Sequence, residues 1–439
     1  MTARDRTRMW ECPECHSNWF VDVGVCPVDG TVKEDPRRAA PQSTPKAKKQ
    51  QPSSAPARGR HRRRRRFVGV AIVIVVAAAG GVYRISTSGR SAEGPVPALS
   101  ASPVVDLLAN CPERIVVQLD WLPRVEQGAF FGLLTDDIDV DPQEITVSGA
   151  IRESVGVGSH TLELRGGTPG IDFESVESVL TEDHDVLLGY TSTDQQLLSY
   201  PKHPTIGVGA LLAKSSQAIV WDRRLAPGVS VISDLATTSG DIRVDAGSTF
   251  AAWLGGILDH RIDDLWFGSG LGDDPSLVAQ SAIATVGPYQ LSTRSENPID
   301  VGYQLLFDAG WQPAAGVLSV RSDGLGELSP CLSELVPLLQ RSQREFLDDP
   351  NEAIGRIVSS GEQLGGLWAY SRATAENAVA VMKATGMVTT SPDVVLGEFD
   401  MTSLSTFVNV YNFTVEGSTR VAVSSLATNR FVDTSVLGS

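Results

Sequence analysis

The sequence predicts an α/β fold for its C-terminal three-quarters, preceded by one transmembrane helix and a small cysteine-bearing segment. Three observations point there. From Pro112 onward, short apolar runs alternate with stretches of helical period, the pattern of a sheet clothed by helices. Phe67 to Tyr83 (FVGVAIVIVVAAAGGVY) carries no charge. The charge also divides at that run: 16 Lys and Arg stand against 7 Asp and Glu up to Arg66, and 21 against 45 after it. The chain's 439 residues allow two or three domains at roughly 100–200 residues each. The acidic balance of the large part excludes nucleic acid as a partner.

The first element is residues 9–34. Cys12-Pro13-Glu14-Cys15 is followed by Cys26-Pro27-Val28-Asp29-Gly30 in a segment too small to fold on hydrophobic burial. Two Cys-Pro turns can aim their side chains at one tetrahedral ion, whose binding supplies the missing folding energy. Clustered thiols in a reducing compartment read as metal ligands rather than disulfides. The expectation is a structural zinc on Cys12, Cys15, Cys26 and Asp29, with His16 as the competing fourth ligand. The pattern resembles a short zinc ribbon of the kind attached to bacterial membrane and signalling proteins, and it implies a cytoplasmic protein partner.

Residues 35–66 are Pro, Ser, Gln, Lys and Arg with little to bury, and read as a disordered basic linker. The run 67–83 is just long enough to span a bilayer. Arg62 to Arg66 on its N-terminal flank place that flank in the cytoplasm and the C-terminal part outside. The alternative is a cleaved signal of the twin-arginine kind, against which stands the long leader with its own metal motif. Residues 84–111 read as a second linker, rich in small residues.

Within 112–439, strands are expected at Ile115–Leu119, Thr161–Leu164, Val186–Gly189, Ile206–Leu212, Ala218–Trp221, Ile242–Asp245, Ile283–Val286 and Ala315–Val320. Helices are expected at Glu126–Leu134, Phe173–Thr181, Ser248–Asp259, Pro275–Gln280, Leu332–Asp348, Pro350–Glu362, Ser371–Thr385 and Thr402–Phe413. Cys111 and Cys331, an even pair on the outer side, suggest one disulfide between segments distant in sequence.

The first expected strand runs through Asp120 into Trp121-Leu122-Pro123-Arg124 and a helix carrying Gln127-Gly128-Ala129-Phe130-Phe131. This opening resembles that of extracytoplasmic solute-binding proteins serving ABC importers of thiamine-precursor pyrimidines, taurine, alkanesulfonates and nitrate. Val231-Ile232-Ser233-Asp234-Leu235, Asp308-Ala309-Gly310-Trp311 and Asp349-Pro350-Asn351-Glu352-Ala353 add matches in the right order over about residues 112–415. The resemblance implies a periplasmic-binding-protein-like type II fold. Lobe one would take 112–212 and 314–439, lobe two 213–313, with a ligand in the cleft and a permease as partner. Where the family shows Asn after Trp-x-Pro this chain has Arg124, and where a His starts the helix it has Gln127. A cleft arginine would favour an anionic ligand.

Expected ligand-binding residues lie where strands end: Trp121, Arg124, Gln127, Tyr190, Thr191, Ser192, Ser248, Thr249, Tyr289 and Trp311. Each has a plainer reading: Trp121 and Trp311 as core aromatics, Ser248 as a helix cap, Arg124 as a surface residue. The histidines of the large part, His160, His184, His203 and His260, are scattered without metal-ligand spacing, and no nucleophile–base pair stands out. The expectation is a binding protein and not an enzyme. The rival reading is a transmembrane sensor or envelope-interaction protein that signals through the ribbon.

Overall fold

The computed structural model describes residues 9–11, 18–20, 106–152, 160–171, 173–259, 262–265, 270–365 and 370–438. The expected metal ligands Cys12, Cys15, Cys26 and Asp29, the competing His16, the linker 35–66 and the span 67–83 lie outside the described residues. Among the described residues no helix is long and apolar enough to cross a membrane. Near the N-terminus, β1 (Met9–Glu11) and β2 (Asn18–Phe20) pair antiparallel, with Trp10 opposite Trp19. They flank in sequence the segment that carries Cys12 and Cys15.

The large domain is built on two sheets. Strands β3 (Arg114–Gln118), β4 (Leu134–Asp141), β5 (Thr146–Ile151), β6 (Thr161–Arg165), β7 (Leu188–Ser192) and β8 (Thr205–Leu212) belong to the first. The second holds β9 (Gln217–Asp222), β10 (Asp241–Asp245), β11 (Asp263–Leu265), β12 (Leu277–Ile283) and β13 (Val301–Leu305). β14 (Ala315–Arg321) then returns to the first. The orders are β4-β5-β6-β3-β7-β14-β8 and β11-β10-β12-β9-β13. In the first sheet β3 lies parallel to β6 and β7, and β14 antiparallel to β7 and β8. The chain passes between the sheets twice, through 213–216 and through 306–314.

Helices follow the strands. In the first half they are α1 (Gly128–Leu133), α2 (Val176–Glu182), α3 (Thr193–Ser199), α4 (Ala251–Leu258), α5 (Gly287–Thr293) and α6 (Leu306–Ala309). The second half adds α7 (Leu325–Asp348), α8 (Asn351–Gln363), α9 (Arg372–Thr385), α10 (Met401–Thr414) and α11 (Val423–Leu426). α1 sits directly on α7: a Cβ at Gly128 would meet the Phe346 ring at 2.5 Å. β8 is buried along its whole length although it ends the sheet. Its outer edge is covered because Ala210 N donates to the Gly397 carbonyl and Thr428 N to the Gly207 carbonyl, both at 2.9 Å.

Four expectations are corrected. Pro275–Gln280 is not helical: Leu277–Ile283 forms β12, held between β10 and β9, and Ile283–Val286 is mostly the turn into α5. α7 starts at Leu325, before Pro330, and carries Pro337 in its interior, so packing outweighs the local proline penalty. Asp106–Cys111, expected as spacer, is fastened to the domain. Leu108 is in the core and Asn110 is hydrogen-bonded to Glu334, and the expected disulfide between Cys111 and Cys331 is formed. α10 buries Phe407 and Tyr411 in a core shared by Ile242 and Val244 of the second sheet, Trp253 of α4, and Ala210 and Val317 of the first sheet.

Candidate functional site

The joint between the sheets is polar and buried, and it is built from strand ends. Beyond β3 the chain turns through Asp120 and Pro123 into a 3-10 turn at Val125–Gln127. Asp120 holds that turn together: its Oδ2 accepts from Arg124 Nη2 at 2.6 Å and its Oδ1 from Gln127 Nε2 at 3.1 Å. Gln127 Oε1 in turn accepts from Arg124 N at 3.1 Å. Arg124 Nε lies 3.6 Å from Glu126 Oε2. Burial alone would disfavour the guanidinium charge, but Asp120 and Glu126 outweigh it and hold Arg124 above its ordinary value.

Two tyrosines close over this cluster. Tyr190 donates from its hydroxyl to the Glu126 carbonyl at 2.8 Å, and its ring meets Phe130 edge-on at 5.9 Å. Burial, then the Asp120 charge, pushes its phenol well above the usual range. The Tyr370 hydroxyl accepts from Val125 N at 3.3 Å, and burial followed by the charge of Glu126 raises it as well.

Buried carboxylates that follow strands of the first sheet meet threonines that follow strands of the second. Glu126 Oε1 accepts from Thr285 Oγ1 at 2.6 Å, and both residues have no exposed surface. Asp194, equally buried, accepts from Thr249 Oγ1, from Ser192 Oγ and from Trp311 Nε1, the last at 3.4 Å. Thr193 pins the returning crossing, its backbone N donating to the Ala314 carbonyl at 3.0 Å and its Oγ1 accepting from Ala314 N at 2.9 Å. Hydroxyl–carboxylate pairs thus join the segments of the two sheets at two places.

The expected ligand residues are therefore distributed unevenly. Arg124, Gln127, Tyr190, Ser192 and Thr249 do meet at the joint. Arg124 is not a surface residue, and it is not open to an anion either, since two carboxylates already share its charge. Thr191 turns away and donates to Glu177 on α2. Trp311 is fully buried among Trp253, Phe407 and Tyr411, with ring centroids 5.7, 5.1 and 6.1 Å away, so it is a core aromatic and offers no stacking face. Trp121 is half-buried against Leu122, Ile145 and Leu364. Ser248 donates to the Asp245 carbonyl at 2.6 Å and caps nothing, because α4 begins at Ala251. Tyr289 is half-buried on α5.

Asp120, Glu126, Asp194, Thr285 and Tyr370 were not singled out from sequence. Their only signal was position, Asp120 closing a strand and Glu126 following a cleft arginine. A concavity of about 380 Å³ lies over β4–β6, lined by Arg114, Asp139 and Glu163, and another of about 250 Å³ beside the crossings, lined by Leu212, Phe307 and Gly397. Neither includes an expected ligand residue. Among the described residues no group of His, Cys, Asp and Glu could hold a metal ion.

No family model matches the sequence, and no curated protein does. Solved structures do. The ligand-binding component of an ABC-type import system from Staphylococcus aureus, with zinc bound, is 12% identical, with 73% of this chain and 98% of that chain covered and a TM-score of 0.46. The periplasmic nitrate-binding protein of Synechocystis PCC 6803 is 10% identical over 73% and 87%, with a TM-score of 0.45. The alkanesulfonate-binding protein of Xanthomonas axonopodis pv. citri, bound to MOPS, is 12% identical over 72% and 98%, with a TM-score of 0.44.

Proposed function

We propose that residues 106–438 form an extracytoplasmic solute-binding domain of the periplasmic-binding-protein-like type, which takes a small molecule in its cleft and presents it to an ABC permease. One observation carries this reading: two sheets share only two crossings, and a buried polar cluster drawn from both lobes sits at their joint. Clefts at strand carboxyl ends are where open α/β sheets bind ligands. Opening would turn on 213–216 and 306–314 and would part Thr285 from Glu126 and Thr249 from Asp194. A ligand that replaces those donors holds the closed form.

The span 67–83 would anchor this domain outside the membrane, with the ribbon in the cytoplasm. Antiparallel pairing of β1 with β2 fits a knuckle bearing Cys12 and Cys15, to which Cys26 and Asp29 would add the remaining zinc ligands. The ribbon also supports the second reading, a sensor that passes the ligand state of the outer domain to a cytoplasmic partner. The test is thermal unfolding of the full chain in detergent micelles against a small-molecule library. A compound that raises Tm supports the binding reading, and a flat response across sugars, amines, amino acids, pyrimidines and sulfonates overturns it.

A further inference from the structure

Glu126 is the unexplained group at the joint. It has no exposed surface, its Oε1 accepts a hydrogen bond from Thr285, and its Oε2 accepts none, facing Arg124 Nε at 3.6 Å. A buried carboxylate left short of donors is costly unless something supplies them. Arg124 does so only in part: its Nη2 donates to Asp120 at 2.6 Å, and its Nε, which makes no hydrogen bond, stands 3.6 Å from Glu126 Oε2, an ion-pair distance beyond hydrogen-bond reach. Among the described residues, the charges that pair or hydrogen-bond at the joint are three carboxylates, Asp120, Glu126 and Asp194, against the one guanidinium of Arg124. The remaining partners, Thr249, Thr285, Ser192 and Trp311, are neutral.

We propose that the cleft binds a small organic cation, an amine or quaternary ammonium compound, with its positive group against Glu126 and beside Tyr190 and Tyr370. The inference rests on the cleft being a ligand site. A cation would offset the negative excess in a medium of low dielectric, where such charges interact strongly. A sulfonate or nitrate would instead meet an arginine already shared by two carboxylates, a repulsive arrangement.

The full chain in detergent micelles is heated with choline and with putrescine, with 3,3-dimethylbutanol as the neutral isostere of choline, and with taurine and nitrate. Choline or putrescine is expected to raise Tm by about 5 °C at a hundredfold excess over Kd, and the neutral alcohol is not. Glu126→Gln, which removes the charge and keeps the shape, is expected to weaken the titrated affinity about tenfold or more. Should that variant fail to fold, the isostere comparison on the unaltered chain still decides. A shift from taurine or nitrate without one from the amines overturns the cationic class and leaves the cleft a ligand site. Equal shifts from choline and its isostere overturn it as well. No shift from any of these probes also overturns it, and the wider library screen then decides separately whether the cleft binds anything.

Discussion

Arg124 and its carboxylates form the most consequential cluster at the scale of single residues. Because the guanidinium is buried and shared, removing it strands Asp120 and Glu126 without a countercharge. Arg124→Met is expected to cost about 3–5 kcal/mol in urea unfolding, against about 2 kcal/mol for Thr285→Val, which leaves a buried carboxylate short of one donor. Glu177 behaves differently. It accepts hydrogen bonds from Thr191 and Ser199, but burial dominates and raises its pKa above the ordinary 4.5. A raised folded-state pKa means the folded protein binds the proton more tightly, so this group's stabilisation is complete below 4.5 and fades as pH rises through the raised value. Urea midpoints from pH 4 to 8 should therefore fall more steeply in the unaltered chain than in Glu177→Gln.

Among the elements, α10 and the disulfide set how the domain is tied. α10 brings Phe407 and Tyr411 onto Trp311, which also touches Trp253 of α4, so one helix from late in the chain closes a core to which both sheets contribute. Phe407→Ala is expected to destabilise by about 3–5 kcal/mol, read from the denaturation midpoint. Cys111–Cys331 closes a loop across a separation of 220 residues and clips the start of the domain to α7. Replacing both cysteines by serine should cost about 2–5 kcal/mol, and adding reductant to the unaltered chain should give the same loss. Strands with an uninterrupted apolar run, such as β3 and β8, were legible in the sequence. β4, with four aspartates in eight residues, and β12, which follows a proline and a serine, were not, because sheet pairing and not local preference makes them strands.

For the whole molecule, two crossings and two hydroxyl–carboxylate hydrogen bonds, Thr285 to Glu126 and Thr249 to Asp194, join the two sheets of the domain. If the N-terminal motif is a ribbon, elemental analysis of the purified full chain should find one zinc per chain, lost in Cys12→Ser with Cys15→Ser. Absence of zinc in the unaltered chain would remove the sensor reading's inner half.

Sequence alone determined the α/β alternation of the large domain, the division of charge at Arg66 and the nomination of Arg124, Gln127, Tyr190 and Thr249, because apolar period, net charge and strand-end position are local properties. Tertiary structure alone decided that Trp311 is core, that Arg124 is already paired, and that Glu126, Asp194 and Thr285 belong to the joint. Those facts depend on which side chains of distant segments share a buried space, and a carboxylate's neighbours across a cleft leave no trace in the residues beside it.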